Sequence, residues 1–191
     1  ALRKSEKMLE FRLDNTLNIS KEDLKRAYKE VQSSFLNLFR ELTKTELNLS
    51  ESINFFPLIR RLYDSTEGVV CELGFTTDEG SVKVGRMRQQ YRDLRSETFH
   101  KAGKSAVGSI TPFRLSIRWK LYLSDEPEPI ILKQPHLFDN SCLCPELSLI
   151  GKYYDLKQVD PCLNTFFIEG CITTESYNFI FYKVIKYLNW K

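Results

Sequence analysis

Hydrophobic and polar side chains alternate without a break from Phe113 to Leu123. Successive side chains of an extended backbone point to opposite faces, so this alternation predicts a β-strand that buries one face and exposes the other. Because parallel sheets are covered on both faces, the pattern favours an antiparallel sheet with a solvated side. The predicted core face carries Phe113, Leu115, Ile117, Trp119, Leu121 and Leu123, and the predicted solvated face carries Arg114, Ser116, Arg118, Lys120 and Tyr122.

Turn-forming residues beside such alternating stretches predict two β-hairpins. In the first, residues 69–75 alternate in the same way, residues 76–80 supply the turn, and residues 82–84 resume the extended pattern. In the second, the acidic, proline-containing residues 124–129 form the turn. The short apolar segment 130–133 then returns beside the strand described above. All predicted strands therefore come from adjacent hairpins.

Apolar residues at intervals of three and four predict a long helix that begins after Ser20 and extends to about residue 42. A preceding helix is predicted over residues 5–17. The long helix can pack on the sheet of its own domain or pair with a helix of another chain, and the sequence leaves both alternatives open. Aromatic residues at Tyr28 and Phe35 do not favour a simple parallel homodimeric coiled coil. The apolar seam of this helix consists of Leu24, Tyr28, Val31, Phe35, Leu38 and Leu42.

Further segments complete the predicted order of elements. Residues 51–64 fit a short helix that is interrupted near Pro57, and residues 86–99 fit an arginine-rich helix. Glycine and small residues predict a loop over residues 101–112. The C-terminal residues 177–188 repeat apolar side chains with helical spacing, which predicts a final helix.

This order predicts the α+β class: N-terminal helices, then a mainly antiparallel sheet built from hairpins, with helices on one face and a C-terminal helix. Residues 1–50 are predicted to form an N-terminal helical segment that can act as an interaction arm, and residues 51–191 an α+β domain. The order of elements resembles that of small α+β modules of the RWD kind. That resemblance, which lies in element order alone, implies a place at the end of a coiled-coil subunit in an intracellular complex.

Net charge is distributed unevenly along the chain. The whole sequence has a formal net charge of +3, but the stretch from Arg86 to Lys120 holds nine basic and two acidic side chains, a local net charge of +7. Such a local field attracts anionic groups. Three interpretations stay open: a solvated or internally paired face, a surface for an acidic protein, and a nucleic-acid surface with Tyr91 and Tyr122 as stacking rings. The predicted basic patch consists of Arg88, Arg92, Arg95, Lys101, Lys104, Arg114, Arg118 and Lys120.

Cysteine usage and hydropathy indicate an intracellular protein. The five cysteines are an odd number in a chain much longer than the usual disulfide scaffold, so we interpret them as free thiols. No apolar run approaches the roughly 20 residues that a membrane-spanning helix needs. We therefore expect a nuclear or cytoplasmic location, with no secretion and no membrane association.

Motifs for catalysis, metals and nucleotides are weak. Residues 102–105 resemble the end of a phosphate-binding loop, but Thr98 stands where that loop needs glycine. Neither histidine lies near a known nucleophile motif. A set of potential zinc ligands lacks the paired spacing that structural zinc sites show: His136, Cys142, Cys144, Cys162 and Cys171. We therefore expect no catalytic residue, metal, cofactor or small-molecule substrate.

The function predicted from these features is a non-enzymatic interaction subunit of a larger intracellular, hetero-oligomeric assembly. It would bind other protein subunits through the N-terminal apolar helices and the basic sheet face. The alternative is a nucleic-acid-binding module that uses the arginine-rich helix and strand of residues 86–120.

Overall fold

A computed structural model of the chain describes residues 2–3, 8–13, 21–49, 52–89, 92–122, 142–171 and 173–189. The chain divides into two compact units, residues 1–51 together with Lys191, and residues 52–190. The first unit contains β1 (Leu2–Arg3), β2 (Met8–Leu9) and α1 (Lys21–Thr43). The second contains α2 (Phe56–Asp64), β3 (Val69–Thr77), β4 (Val82–Arg86), α3 (Thr98–Ala106), β5 (Ile110–Arg118), β6 (Leu121–Tyr122), β7 (Cys142–Leu143), β8 (Glu146–Ile150), β9 (Phe167–Glu169) and α4 (Thr174–Leu188).

The start of the first unit is a short antiparallel hairpin. Strands β1 and β2 pair, with Arg3 opposite Met8, and residues 10–13 have no regular structure. The helix predicted over residues 5–17 is therefore wrong where the structure describes the chain, and its remaining residues lie outside the described part. The carboxylate of Glu10 binds the guanidinium groups of both Arg3 and Arg12, which holds this segment against the hairpin.

Helix α1 confirms the long helix that the seam predicted. It runs for 23 residues, and its last residue, Thr43, donates its hydroxyl hydrogen bond to the carbonyl of Phe39. Lys44 follows with a positive φ of 56°, a left-handed conformation that ends helices. Ser20, after which this helix was predicted to begin, lies outside the described residues.

The second unit is built on a five-stranded antiparallel sheet with the order β4-β3-β5-β8-β9, and β6 pairs with β7 in a separate two-stranded sheet. The first predicted hairpin is confirmed, since β3 and β4 pair with Gly74 opposite Val84. The α+β class is confirmed as well. The predicted turn 124–129 and return strand 130–133 lie outside the described residues. In the described part, β5 lies between β3 and β8.

The long alternating strand divides in the structure. Strand β5 begins earlier than predicted and ends at Arg118, and β6 starts at Leu121. At the break the Trp119 backbone N–H donates to the carbonyl of Pro145, at 3.0 Å between the nitrogen and the oxygen. Pro145 has no N–H that could donate a second hydrogen bond to the carbonyl of Trp119, so the regular pairing of β5 with β8 cannot continue there.

The hydrophobic core lies between the sheet and two helices. Register places Leu73, Leu115 and Leu149 side by side on one face of the sheet. Helix α2 packs on that face and α4 packs on α2. Pro57 occupies the first turn of α2, where its missing N–H leaves no bond unmade, so the predicted interruption is wrong and proline begins the helix instead. Completely buried core residues include Leu58, Ile59, Leu62, Val70, Leu73, Leu115, Ile117, Leu147, Leu149, Ile180 and Val184.

The arginine-rich helix predicted over residues 86–99 is wrong in its described residues, and so is the loop over residues 101–112. Strand β4 continues to Arg86, and a single 3₁₀ turn covers residues 94–96. Helix α3 then occupies the first half of the predicted loop, and β5 begins at Ile110, near the end of that loop. Its start is set by Glu97, whose carboxylate accepts hydrogen bonds from the backbone N–H groups of Phe99 and His100. A carboxylate cap of this kind starts a helix. Gly103 and the small residues around it therefore lie within α3 and not in a loop.

The final helix is confirmed as α4. Thr173 caps its first turn through its hydroxyl, and Asn189 ends it in a left-handed conformation with φ of 55°. Lys183 is buried although it is charged, because its ammonium group binds the carboxylate of Glu67 and lies 5.0 Å from the ring centroid of Phe179. Glu67 also binds Lys186, so one carboxylate ties the segment before β3 to two lysines that lie about one turn apart on α4.

This carboxylate predicts a specific pH dependence. Partial burial alone would raise the pKa of Glu67, but the hydrogen bonds and positive charges of Lys183 and Lys186 outweigh it and lower the pKa to about 2 from 4.5. A carboxylate with a lowered pKa in the folded state stabilises the fold fully above its unfolded pKa and progressively less as pH falls. We expect Glu67→Gln to lose about 1 kcal/mol at pH 7, a value reduced for partial solvent exposure.

The difference in unfolding free energy between wild type and Glu67→Gln should shrink between pH 5 and pH 2. Urea titrations at several pH values measure it. The exposed Glu41→Gln on α1 removes the same charge and should leave stability within about 0.5 kcal/mol of wild type throughout. A constant difference across this pH range would contradict the proposed role of Glu67.

Candidate interaction surfaces

The seam of α1 is covered at its start and open afterwards. Leu24 is buried, and Tyr28 and Phe35 are half-buried. The side chains of Val31, Leu38 and Leu42 are exposed by 38%, 54% and 74%. A soluble helix normally buries such a stripe, so an exposed stripe of branched aliphatic residues marks a potential interface.

Aromatic contacts cover one flank of the seam. The ring of Phe11, which follows β2, meets the ring of Phe35 edge-on, with 5.9 Å between the centroids. Phe39 lies one turn further along, with its centroid 6.3 Å from that of Phe35. At about 100° per residue, Phe39 lies on the opposite flank of the seam from Leu38. The open flank is therefore the one that carries Val31 and Leu38.

The basic strand face is internally paired. The Arg114 Nε lies 2.7 Å from Oε1 of Glu72 on β3, and the Arg118 Nε lies 3.1 Å from Oε2 of Glu146 on β8. Between these pairs the hydroxyls of Ser116 and Ser148 share a hydrogen bond of 2.8 Å. Antiparallel register places Arg118 directly opposite Glu146, and opposite charges on facing residues attract.

The predicted solvated face is therefore wrong in its central part. Ser116 and Lys120 are buried, and Arg114 and Arg118 are only partly exposed. Arg86, at the end of β4, also approaches Glu72, at 3.8 Å. Acidic residues on neighbouring strands thus neutralise these arginines. This neutralisation reduces the local positive field that the sequence predicted for residues 86–120.

Arg95 is partly buried and binds the connection between α2 and β3. Its guanidinium group donates hydrogen bonds to the carbonyls of Ser65, Glu67 and Gly68, with 2.7 Å to the oxygen of Gly68, and it also binds Asp93. These carbonyls belong to the connection between α2 and β3. Arginine suits this position because its planar fork of five donors can satisfy several acceptors at once.

Four members of the predicted patch are exposed: Arg88, Arg92, Lys101 and Lys104. Lys101 and Lys104 lie on α3, and Arg88 and Arg92 lie between β4 and the 3₁₀ turn. The ammonium group of Lys104 is 4.9 Å from the ring centroid of Tyr63, a cation–π contact. Of the eight predicted patch residues, these four are exposed, whereas Arg114 and Arg118 lie beside carboxylates of neighbouring strands.

Two titratable side chains outside these surfaces, His100 and Cys71, are buried in the fold. The hydroxyl of Tyr63 lies 3.1 Å from Nε2 of His100, which is buried. Burial, aided by the positive charge of Lys104, lowers the pKa of His100. Burial also raises the pKa of Cys71 to about 12, so its thiol stays protonated and unreactive at neutral pH.

Within the described ranges, no group of three or more His, Cys, Asp or Glu residues is placed to hold a metal ion. His136, one of the potential zinc ligands, lies outside those ranges, and Cys71, Cys162 and Cys171 are free thiols. No helix in the described part of the chain is long and apolar enough to cross a membrane.

The sequence prediction missed the partners of these charges. Glu67, Glu72 and Glu146 decide which cations are neutralised, and each is distant in sequence from at least one cation that it binds. A possible signal was the presence of single acidic residues within otherwise apolar strand patterns, as at Glu72. Strand register was still needed to assign the partners.

The fold and surfaces define the class as an α+β protein with an open apolar helix and an internally neutralised sheet face. Comparison with known proteins adds no family. No protein-family model matches the chain, no curated protein matches its sequence, and no solved structure matches it.

Proposed function

We propose that the chain is a non-enzymatic interaction subunit of a larger intracellular assembly, and that α1 binds a helix of a partner protein. The observation that carries this proposal is the exposure of Val31, Leu38 and Leu42 along one side of a 23-residue helix. Their spacing of seven and four residues follows the pattern of anchors that a partner helix contacts.

The physical gain from such binding is substantial. Full burial of one exposed aliphatic side chain contributes about 1.5–3 kcal/mol, and three such residues lie in line. Phe35 and Phe39 add ring surface at the flank, and large rigid rings are frequent anchors at interfaces. A partner helix with apolar residues at matching intervals would therefore bind with its axis along α1.

The exposed cations Arg88, Arg92, Lys101 and Lys104 support a secondary electrostatic contribution from an acidic partner. Charges at the edge of an interface mainly accelerate association and lower its tolerance for salt. The nucleic-acid alternative has less support. Its arginine-rich helix is not present in the described residues, and Arg114 and Arg118 are occupied by carboxylates.

The test uses affinity purification of the full chain from its native cells, followed by measurement of binding to the recovered partner. We expect Leu38→Glu to weaken binding at least about 30-fold, since an unpaired charge in an apolar interface costs about 2 kcal/mol or more. Val31→Glu should act in the same direction. Ser33→Glu is the matched control, because Ser33 is exposed on the opposite side of α1.

Circular dichroism and urea unfolding establish whether each variant still folds. Unfolding of the whole chain by Leu38→Glu would contradict the proposal, because the seam would then belong to the core. Equal partner binding by Leu38→Glu and Ser33→Glu would contradict it as well.

A further inference from the structure

Strand β4 is an edge of the five-stranded sheet, and its outer side carries backbone hydrogen-bonding groups that β3 does not use. The Met87 N–H donates to the carbonyl of Cys71 and the Thr77 N–H to the carbonyl of Ser81, at 2.8 and 2.9 Å. Hydrogen-bonded pairs alternate along an antiparallel ladder, so the odd-numbered residues of β4 face β3. The backbone N–H and C=O groups of Val82, Val84 and Arg86 therefore point away from the sheet.

The same residues expose apolar surface beside these backbone groups. Val82 and Val84 are exposed by 45% and 57%, and alternation places them on one face together with Arg86. Native proteins usually protect an edge strand with proline, a bulge or a covering element. In the described part of the chain, no strand or loop pairs with the outer edge of β4. An edge of this kind is a template for another strand.

Charge along this segment identifies which strand fits. Glu79 lies in the turn before β4, whereas Arg86 and Arg88 lie at the other end, and all three are exposed. A second copy that runs antiparallel to the first, centred on Val84, places its basic end beside the acidic turn of its partner. Val84 then faces Val84 of the other copy, Val82 faces Arg86, and Gly80 faces Arg88. A parallel arrangement would place like charges together.

We propose that a second copy of this chain occupies the edge, so that two β4 strands pair antiparallel about a two-fold axis. The sheet then continues from one copy into the other. An isologous interface must be self-complementary, and this segment meets that condition in both charge and apolar positions. The interface uses a different element from the seam of α1.

The first test measures the mass of the purified full chain by analytical ultracentrifugation over a range of concentrations. We expect a concentration-dependent dimer. Val84→Pro removes the Val84 N–H, which β3 does not use. In the proposed dimer the Val84 N–H of each copy donates to the other copy, so the substitution removes both of these hydrogen bonds. We expect this variant to weaken dimerisation by more than about tenfold, because both central hydrogen bonds are lost. Val84→Thr keeps the N–H and the branched shape and should still dimerise.

A charge exchange keeps the proposal testable if Val84→Pro perturbs folding. Glu79→Arg and Arg88→Glu should each weaken the dimer about two- to fivefold, as expected for exposed charge pairs, and the double variant should recover it. Within one copy the five residues of β4 lie between the two, a strand length of roughly 16 Å, so recovery has to come from contact between copies.

Three results would overturn the proposal. The chain could be monomeric at all concentrations, or its dimer could be insensitive to both Val84→Pro and the charge exchange. Alternatively, Leu38→Glu alone could abolish the dimer, which would assign it to the seam. If the chain alone is monomeric but its edge captures an acidic peptide, then the occupant is a different protein and the two-fold dimer is wrong.

Discussion

Replacement of Arg95 by alanine should destabilise the second unit by about 3–5 kcal/mol, one of the two largest effects expected from a single substitution. The guanidinium group donates to three carbonyls of the connection between α2 and β3, and its loss leaves these acceptors without a partner. Hydrogen bonds from charged donors each contribute about 1.5–3 kcal/mol, and they do not add fully. Urea unfolding followed by circular dichroism measures the change.

Two further variants separate the geometry of Arg95 from its charge. Arg95→Lys keeps the positive charge but offers a single ammonium group, so it should recover only a minor part of the loss. Arg92→Ala removes an exposed arginine three residues away and should stay within about 0.5 kcal/mol of wild type. If Arg95→Ala lies equally close to wild type, then the connection is held by other contacts and our account of Arg95 is wrong.

A comparable loss is expected for Gly151→Ala, by a different mechanism. Gly151 follows β8, and a Cβ atom placed there would lie 2.1 Å from the carbonyl oxygen of Phe113 and 3.2 Å from the ring of Phe56. The first contact involves the backbone of β5, which cannot move without disturbing the ladder. Forced overpacking typically costs about 1–3 kcal/mol, and we expect a value near the upper end because backbone must shift.

The same substitution at Gly103 is the matched control. Gly103 lies inside α3, and an added Cβ atom there would meet no atom within 4 Å. Alanine has a higher helix propensity than glycine, so Gly103→Ala should stabilise the protein by about 0.5–1 kcal/mol. Thermal and urea unfolding of the two variants should therefore give changes of opposite sign. Equal effects would show that the close approach at Gly151 does not limit the fold.

Elements with a regular local pattern were predictable from the sequence. The seam predicted α1, the C-terminal spacing predicted α4, and the alternation around residues 76–80 predicted the β3–β4 hairpin. The segment from residue 86 to residue 112 was not predictable in this way. There the carboxylates of Asp93 and Glu97 cap the turns that follow them, and these caps outweigh the apolar spacing on which the predicted helix depended.

The candidate surfaces divide in a similar way. The apolar positions of α1 follow from periodicity alone, but periodicity did not determine that Val31, Leu38 and Leu42 are the exposed ones. The basic patch was predicted by counting charged residues along the sequence. Such a count does not show which basic side chains bind acidic groups of the same chain. Of its eight residues, Arg95, Arg114 and Arg118 bind acceptors of the same chain.

The sequence by itself determined the α+β class, which residues share each face of the main strand, and the apolar seam, because these depend on spacings within a few residues. Only the tertiary structure decided that the strand face is neutralised and that β4 is an open edge. Those properties depend on strand order and register, which bring Glu146 opposite Arg118 across 28 positions of sequence and leave the outer side of β4 without a paired strand in the described part of the chain. Local patterns contain no record of such distant pairings, because any strand of matching alternation can occupy the adjacent place.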